Sequence, residues 1–333
     1  MSRAKISAIG LASATAGASG ALLYHSYSDG SKSKTVAAVP PAPGISTKAL
    51  PVQASAPLQI FPASSELVSL NHNGILKYGS PGPVLDELKS LALWGAYDRR
   101  TRNPWWVAEH ITSESVARSD AKRNNGAFSE DKTIPLAFRA RMKDYSHSGY
   151  DRGHQVPAAN AGWSQKAMDD TFKLTNMCPQ VGEGFNRHYW SRFENFCRNL
   201  TQKYPSVRIV TGPLYLPKKD DDGKWRVSYE VIGDPPNVSV PTHFFKIIFA
   251  ENEDTTNEDT NKVAVGAFVL PNASIDNKKL LADFEVDLEI VERASGLQFA
   301  GELALERRKR LCREVKCDVS VRNFREASAK PKL

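Results

Sequence analysis

The sequence predicts an α+β fold, in which a mainly antiparallel central sheet is flanked by helices. Apolar and polar residues alternate from Trp225 to Val231, as in an antiparallel strand with one buried face. Residues 240–249 and 263–270 are longer apolar runs, which are typical of buried strands. Over residues 185–200 the apolar side chains recur at helical spacing instead. Strands and helices therefore mix within one chain.

The same patterns predict the other elements. Strands are expected at residues 92–97, 105–111, 172–177, 207–214 and 317–324. Helices are expected at residues 163–170, 280–296 and 302–316. Pro179 is expected to end the strand at 172–177, because proline cannot donate a ladder hydrogen bond. Gly296 is the expected cap of the helix that precedes it, since glycine adopts the left-handed conformation that ends many helices.

Composition places the chain among ordinary globular proteins. Of its 333 residues, 41% are apolar and 24% are charged, which excludes a disordered or fibrous protein. The net charge of +7 and the isoelectric point of about 9.1 favour a polyanionic partner, such as nucleic acid or an acidic membrane surface.

The N-terminus has the composition of an address or an anchor. Arg3 and Lys5 precede an uncharged run over residues 6–24, and the first acidic residue is Asp29. We predict that residues 1–28 are a mitochondrial targeting segment or membrane anchor; a cleaved secretory signal is the alternative. Residues 29–68 are rich in proline, serine and lysine and predict a flexible linker. Residues 69–333 then form the domain.

The four cysteines do not form a disulfide scaffold in a chain of this length. They are Cys178, Cys197, Cys312 and Cys317. The last two are too far apart for a zinc knuckle and lack a second matching pair. All four are expected to be free thiols.

Two short segments carry the candidate chemistry. His154 follows Gly153 in the segment 148–154, where a turn is predicted, and a histidine of near-neutral pKa suits a general base. Asn186, Trp190 and Glu194 recur every four residues, so a helix places them on one broad side. A base, oxygen ligands for a hard cation and nearby arginines are the groups that phosphodiester hydrolysis requires.

A second arginine-rich segment precedes this motif. Arg99, Arg100 and Arg102 lie within four positions of a predicted turn. Guanidinium groups pair bidentately with phosphate oxygens, so a phosphate clamp is one interpretation, and a solvated hairpin tip is the other. His110 lies in an apolar strand and is expected to be a packed core histidine.

The residues themselves resemble a known family. Residues 151–154, Asp-Arg-Gly-His, and Asn186-x3-Trp190-x3-Glu194 resemble the signature of the DNA/RNA non-specific endonucleases. Residues 97–104 and 163–172 are similar to its mitochondrial branch, endonuclease G, and residues 176–186 and 211–217 are similar to fungal mitochondrial nucleases. The resemblance covers about residues 75–324. The loop before Asn186 is one residue longer than in animal relatives.

This resemblance implies a ββα-metal (His-Me finger) active site that cuts single- and double-stranded DNA and RNA and leaves 5′-phosphate ends. His154 would be the general base. Asn186 would be the direct protein ligand of one Mg²⁺ or Mn²⁺ ion. Glu194 would support the water shell of that ion or the Asn186 side chain. Arg152, with Arg100 or Arg102, would bind phosphates, and Asn176 would help to shape the substrate site.

The family also implies a setting and partners. It predicts a homodimer at the mitochondrial inner membrane or in the intermembrane space, with release to the nucleus during apoptosis. The basic residues 307–310 are either a nuclear signal or the solvated face of a helix. Two other functions stay open: a secreted nutritional nuclease with the same chemistry, and a nucleic-acid-binding protein that has lost catalysis.

Overall fold

The structure, a computed structural model, describes residues 75–78, 86–124, 128–252 and 262–319. These residues belong to one compact unit, Ser69–Leu333. The segments predicted at 1–28 and 29–68 lie outside the described residues, as does the end of the strand predicted at 317–324. No helix in the described part of the chain is long and apolar enough to cross a membrane.

The strands of the described residues are short except at the centre of the main sheet. In chain order they are β1 (Asp86–Lys89), β2 (Trp94–Asp98), β3 (Asn103–Ile111), β4 (Tyr150–His154), β5 (Met177–Val181), β6 (Ser206–Leu214), β7 (Lys218–Lys219), β8 (Trp225–Arg226), β9 (Val231–Ile232), β10 (Val238–Ser239), β11 (His243–Glu251), β12 (Val263–Pro271), β13 (Glu285–Val286) and β14 (Arg308–Arg310).

The helices surround these strands. The α-helices are α1 (Ser113–Ala117), α2 (Gln165–Thr171), α3 (Ser191–Leu200), α4 (Leu288–Ser295) and α5 (Leu311–Glu314). A wide helical segment, Gly182–Trp190, continues directly into α3, and its backbone departs from helical geometry at Glu183 and Gly184. Single 3-10 turns lie at Leu136–Phe138, Met142–Tyr145, Ala158–Ala161, Leu174–Asn176, Leu281–Phe284 and Leu305–Arg307.

The main sheet has the strand order β1-β2-β3-β6-β11-β12-β13. Every neighbouring pair in this order is antiparallel, whereas β14 adds to β12 in parallel. β6, β11 and β12 are each nine residues long and form the buried centre. The predicted α+β fold on a mainly antiparallel sheet is therefore confirmed.

Both faces of the sheet are covered, because side chains alternate along each central strand. On β11, Phe244 packs into the core under the helix that ends with α3. Its neighbour Phe245 points to the other face and packs with Val291 of α4. The two cores hold the helices in place on either side, and the helix over the first face carries Asn186.

Several predicted elements match the described strands and helices closely. The predictions at 92–97, 105–111, 207–214, 240–249 and 263–270 correspond to β2, β3, β6, β11 and β12, and 163–170 corresponds to α2. The helix expected at 280–296 begins only at Leu288, after a 3-10 turn and β13, and it ends as predicted at Gly296, whose φ is 71°.

The strand predicted at 172–177 is wrong in its bounds. A 3-10 turn occupies Leu174–Asn176, and β5 follows it. Pro179 lies inside β5 opposite Arg152 and does not end it. β5 pairs only with β4, so it has a free edge, where a proline can lie without removing a ladder bond.

The half-buried strand predicted at 225–231 is also wrong. Only the two-residue strands β8 and β9 form in this region, and Trp225 and Val227 are about half exposed. β8 pairs with β7 and not with the main sheet, so no core layer covers the apolar side chains.

The elements predicted at the C-terminus are wrong, because a disulfide and a strand pairing determine the structure of this segment. In place of a helix at 302–316, the chain forms a 3-10 turn, β14 and the short α5. Residues 317–319 form no strand. Cys312 and Cys317 are joined in a disulfide, contrary to the predicted free thiols, whereas Cys178 and Cys197 are free and buried as expected. Pairing of β14 with β12 and closure of this small loop are incompatible with one continuous helix.

Burial shifts the titration of two histidines in the sheet. Burial lowers the pKa of His110 to about 3, helped by Arg208 and Lys77, and the ring is hydrogen-bonded to the Ser206 hydroxyl over 2.9 Å. His110 is thus a packed histidine, as predicted. Burial lowers the pKa of His243 to about 4.

These shifts predict a stability that falls in weak acid. Between the folded pKa and the ordinary value near 6.5, the unfolded chain binds more protons, so lowering the pH favours unfolding. For His110 the loss between pH 7 and pH 5 is roughly 2 kcal/mol. Urea unfolding at both pH values, compared between wild type and His110→Gln, measures it. An equal loss in both proteins would show that His110 does not contribute.

Candidate active site

Strands β4 and β5 and the helix after them form a β-β-α unit. His154 is the last residue of β4 and lies opposite Met177 of β5. The turn predicted around His154 is therefore wrong, because the residue lies in a paired strand. The strand fixes its backbone, and the helix from Phe185 onward crosses beside it and brings Asn186 to the same cavity.

Asn176 holds the chain that leaves His154. Its amide nitrogen donates to the carbonyl oxygens of Val156 and Thr171, and its amide oxygen accepts from the Val156 N–H. Its backbone oxygen also accepts from the Gln155 N–H. Because the side chain is 1% exposed and these bonds use it, Asn176 has no free amide group to offer to a substrate, and any part it has in shaping the site is indirect. It positions the strand end that carries His154.

Gly153 is required by a close approach within the same pair of strands. A Cβ atom built on it would lie 2.0 Å from the Gln180 side-chain oxygen. Gln180 is fully buried, so it has no open space into which to move. The glycine of the Asp-Arg-Gly-His segment therefore allows β4 and β5 to pack, and this keeps the next residue, His154, in register.

The His154 ring lies between aromatic rings. The Phe172 ring meets it edge-on with centroids 4.9 Å apart, and the Phe128 ring lies 5.7 Å away. Its Nε2 atom is buried and has no hydrogen-bond partner among the described residues. Burial, with a contribution from Arg123, lowers its pKa to about 3, not to the near-neutral value predicted. The ring is therefore uncharged at physiological pH.

The Asn186 amide is oriented by Asp151. Its nitrogen donates to the Asp151 carboxylate over 2.9 Å, which leaves the amide oxygen available at the cavity. Arg187 makes two bonds to the same carboxylate, of 2.8 and 2.6 Å. Burial opposes ionisation of Asp151, but the bonds from Arg187 and Asn186 outweigh it and lower the pKa of Asp151.

Glu194 lines the same cavity as Asn186 and His154. Burial raises its pKa to about 7, and Lys246 and Arg198 partly offset this effect. Trp190, predicted on the same side of the helix, is fully buried instead. The wide turns up to Trp190 change the angular spacing of a regular α-helix, and the indole packs in the core against Phe244.

The cavity has a volume of about 520 Å³ and is rich in arginine. Its charged lining consists of Arg123, Arg152, Arg187 and Arg198 against Asp151 and Glu194. The Arg152 guanidinium lies over the Phe128 ring, 4.5 Å from its centroid. The excess of positive charge suits an anionic substrate, because guanidinium groups bind phosphate oxygens.

Sequence reasoning found Arg152 but missed the other three arginines. Two local signals were available: Arg187 adjoins Asn186, and Arg198 lies four residues after Glu194 on the same helix, where side chains share a face. Arg123 precedes β4 by a long stretch of chain, so only the tertiary fold brings it to the cavity.

Arg100 and Arg102 are not among the residues that line this cavity. The Arg102 side chain folds back toward the backbone. Its guanidinium donates to the Arg100 and Ala137 carbonyl oxygens over 2.9 and 3.3 Å. Arg100 is exposed. A phosphate bound by these two residues would therefore lie outside the cavity.

The residues present fit a hard cation bound at one point. No group of three or more His, Cys, Asp or Glu side chains in the described residues can enclose a metal ion. Asn186 offers an amide oxygen whose orientation Asp151 fixes, and the Glu194 carboxyl group lines the same cavity. One amide ligand with a nearby carboxylate suits an ion that keeps most of its water, as Mg²⁺ does.

Comparisons with known proteins agree with this site. Residues 71–305 match the family model described as DNA/RNA non-specific endonuclease. The chain is 55% identical over 267 residues to the mitochondrial nuclease of Saccharomyces cerevisiae, covering 80% of this chain and 81% of the relative. It is 42% identical over 251 residues to mitochondrial endonuclease G of Bos taurus, covering 75% and 80%.

A solved structure has a similar fold over most of this chain. The chain aligns with a chain in the crystal structure of the EndoG/EndoGI complex with a TM-score of 0.67 and 43% sequence identity. The alignment covers 72% of this chain and 97% of that one.

The packing at Gly153 predicts a rescue. Gly153→Ala should destabilise the protein by about 1–3 kcal/mol, because the new methyl group overpacks a buried site. Shortening the opposing side chain in Gly153→Ala/Gln180→Ala should recover part of the loss. Thermal or urea unfolding measures both. Additive losses in the double variant would contradict a clash with Gln180.

Proposed function

We propose that this chain cuts single- and double-stranded DNA and RNA with one Mg²⁺ or Mn²⁺ ion. The chain belongs to the DNA/RNA non-specific endonuclease family and is therefore a nuclease. The observation that carries the proposal is the meeting of an uncharged His154 and an oriented Asn186 oxygen in one arginine-lined cavity. The products would carry 5′-phosphate and 3′-hydroxyl ends.

His154 is the general base in this proposal. Its uncharged ring accepts a proton from a water molecule, whose oxygen attacks phosphorus while the bond to the 3′ oxygen breaks. The 3′ oxygen leaves with the bonding electrons and takes up a proton from water. Burial keeps the ring in the basic form, and the Phe172 and Phe128 rings hold its plane. Asn176 supports the strand end from behind.

Asn186 would hold the metal ion, and Glu194 would support its water shell or the Asn186 side chain. A bound Mg²⁺ or Mn²⁺ supplies charge stabilisation at the scissile phosphate. Asp151 keeps the amide oxygen turned toward the ion because its carboxylate accepts from the amide nitrogen. These residues bind and orient, and the proton moves at His154.

The arginines explain the expected lack of sequence preference. Arg152 and the other arginines of the cavity offer guanidinium groups to phosphate oxygens, and phosphates carry no direct sequence information. In this proposal one of Arg100 and Arg102 contacts a phosphate farther along the strand, outside the cavity. Binding dominated by phosphates also weakens steeply as salt rises.

The setting of the activity follows from the names of the relatives. The Saccharomyces cerevisiae and Bos taurus relatives are named mitochondrial, which supports a mitochondrial location for this chain. A homodimer at the inner membrane, anchored through residues 1–28, and relocation to the nucleus in apoptosis extend this proposal. A secreted nuclease is the alternative, and sequencing the N-terminus of the mature protein distinguishes them: export with cleavage near residues 19–24 would favour secretion.

His154→Ala tests the chemistry. The variant should lose nearly all cleavage of plasmid DNA and RNA in Mg²⁺ yet still bind both, because a general base acts mainly in the transition state. Gel assays of cleavage and a binding titration in EDTA measure the two properties. Cleavage equal to that of an active wild type would show that His154 is not the base. No cleavage by either folded protein would leave a nucleic-acid-binding role as the better interpretation, and loss of binding and folding together would make His154 structural.

Asn186→Ala tests the metal ligand. Removing the amide oxygen should raise the Mg²⁺ concentration needed for half-maximal cleavage by about tenfold or more. The measurement is a Mg²⁺ titration of cleavage rate for wild type and variant. An unchanged Mg²⁺ requirement in a folded variant would exclude Asn186 as the ligand.

A further inference from the structure

A buried chain of hydrogen bonds lies behind the cavity. Glu109 on β3 is 2% exposed and Asn160, in the 3-10 turn Ala158–Ala161, is 4% exposed. The Asn160 amide nitrogen donates to the Glu109 carboxylate over 2.8 Å. Its amide oxygen accepts from Nη1 of Arg198 over 2.9 Å. The central sheet is thus connected through one amide to an arginine at the cavity wall.

This chain of hydrogen bonds has a direction, because the nitrogen of the Asn160 amide only donates and its oxygen only accepts. The carboxylate accepts only, so it selects the nitrogen of Asn160 and turns the oxygen toward Arg198. The reverse orientation would place an NH₂ group against a guanidinium and leave two donors facing each other. Glu109 therefore sets the orientation of Asn160, and Asn160 holds Arg198.

Nearby groups offset the cost of burying the charges of Glu109 and Lys246. Lys246, on β11, is 1% exposed, donates to the Thr211 hydroxyl over 2.7 Å and lies over the Trp190 ring. Burial raises the pKa of Glu109 to about 6, and Lys246, Asn160 and Arg198 counter this. Glu109 is thus mainly a carboxylate at neutral pH, and its oxygen accepts the hydrogen bond from the Asn160 amide.

Arg198 is suited to a phosphate. It lines the cavity together with His154, Asn186 and Glu194. A guanidinium carries five N–H donors, so one bond to Asn160 leaves donors for phosphate oxygens. An arginine on a flexible side chain loses rotamer freedom when it binds, and a bond made in advance reduces that cost.

We propose that Glu109 and Asn160 are positioning residues that hold the Arg198 guanidinium for a phosphate of the bound nucleic acid. Neither touches the substrate; both act through Arg198. The inference rests on the proposed function, because it needs a nucleic acid in the cavity. It assigns a role to a carboxylate and an amide that belong to the core and not to the catalytic segments.

Salt dependence of binding tests the proposal, since each phosphate contact adds to the slope of the logarithm of the binding constant against the logarithm of salt concentration. The probe is a fluorescent single-stranded DNA, titrated with the full chain in EDTA over a series of NaCl concentrations. Arg198→Ala and Asn160→Leu should each weaken binding about tenfold at low salt. Each should also flatten the slope by about 0.7, the value of one phosphate contact, and the double variant should go no further.

Two Glu109 variants and one control variant distinguish a positioning role from a general loss of stability. Glu109→Gln keeps a carbonyl acceptor for Asn160 and should retain the wild-type slope, whereas Glu109→Met should flatten it. Ser206→Ala is the matched control, because the buried Ser206 hydroxyl also bridges a carboxylate and an arginine. It donates to Glu251 and accepts from Arg208, each over 2.8 Å, and it is not among the residues that line the cavity. The Ser206→Ala substitution should lower stability and leave the slope unchanged.

The outcomes are distinct. Wild-type protein that binds no nucleic acid at any salt concentration would defeat the proposed function. Wild-type binding with a steep slope that is equally steep in a folded Asn160→Leu variant would overturn the positioning role alone. If Asn160→Leu does not fold, equal slopes in Glu109→Gln and Glu109→Met would overturn it as well.

Discussion

The site depends on one carboxylate that joins two separate segments of the chain. Asp151 lies in the strand that ends at His154, and it accepts hydrogen bonds from Asn186 and Arg187 on the helix. His154, the proposed base, and Asn186, the proposed metal ligand, are therefore held relative to each other by an ion pair and by a hydrogen bond from the Asn186 amide nitrogen. This contact adds to the pairing of β4 with β5, whose last residue, Val181, leads directly into the helical segment.

Two charged side chains are buried in the central sheet, and their burial costs free energy. Glu109 lies on β3 and Lys246 on β11, on either side of β6 in the central sheet, and both are almost fully buried. Buried charges are costly unless they are paired and hydrogen-bonded. Here each has a partner, Asn160 for the carboxylate and Thr211 for the ammonium. The hydrogen bonds of Glu109 thus continue through Asn160 to Arg198 at the cavity wall.

Local patterns predicted the fold class and the segments that carry His154, Asn186 and Glu194, because periodicity and short motifs are properties of neighbouring residues. They did not predict which groups meet across the fold. Arg123 reaches the cavity only through tertiary packing. Asn176 has the residue type of a substrate ligand, but its burial commits the amide to backbone atoms. The low pKa of His154 likewise arises from burial, which a sequence motif does not contain.

The Cys312–Cys317 disulfide reports the redox conditions under which the C-terminal segment folded. Disulfides form and persist in oxidising compartments and are rare where glutathione keeps thiols reduced. The bond follows Leu311, which is fully buried against the main sheet, so the same segment is both a packing element and a redox marker. Mature protein isolated from its natural compartment should weigh two hydrogen atoms less than the same chain kept reduced, and intact mass thereby records where it folded.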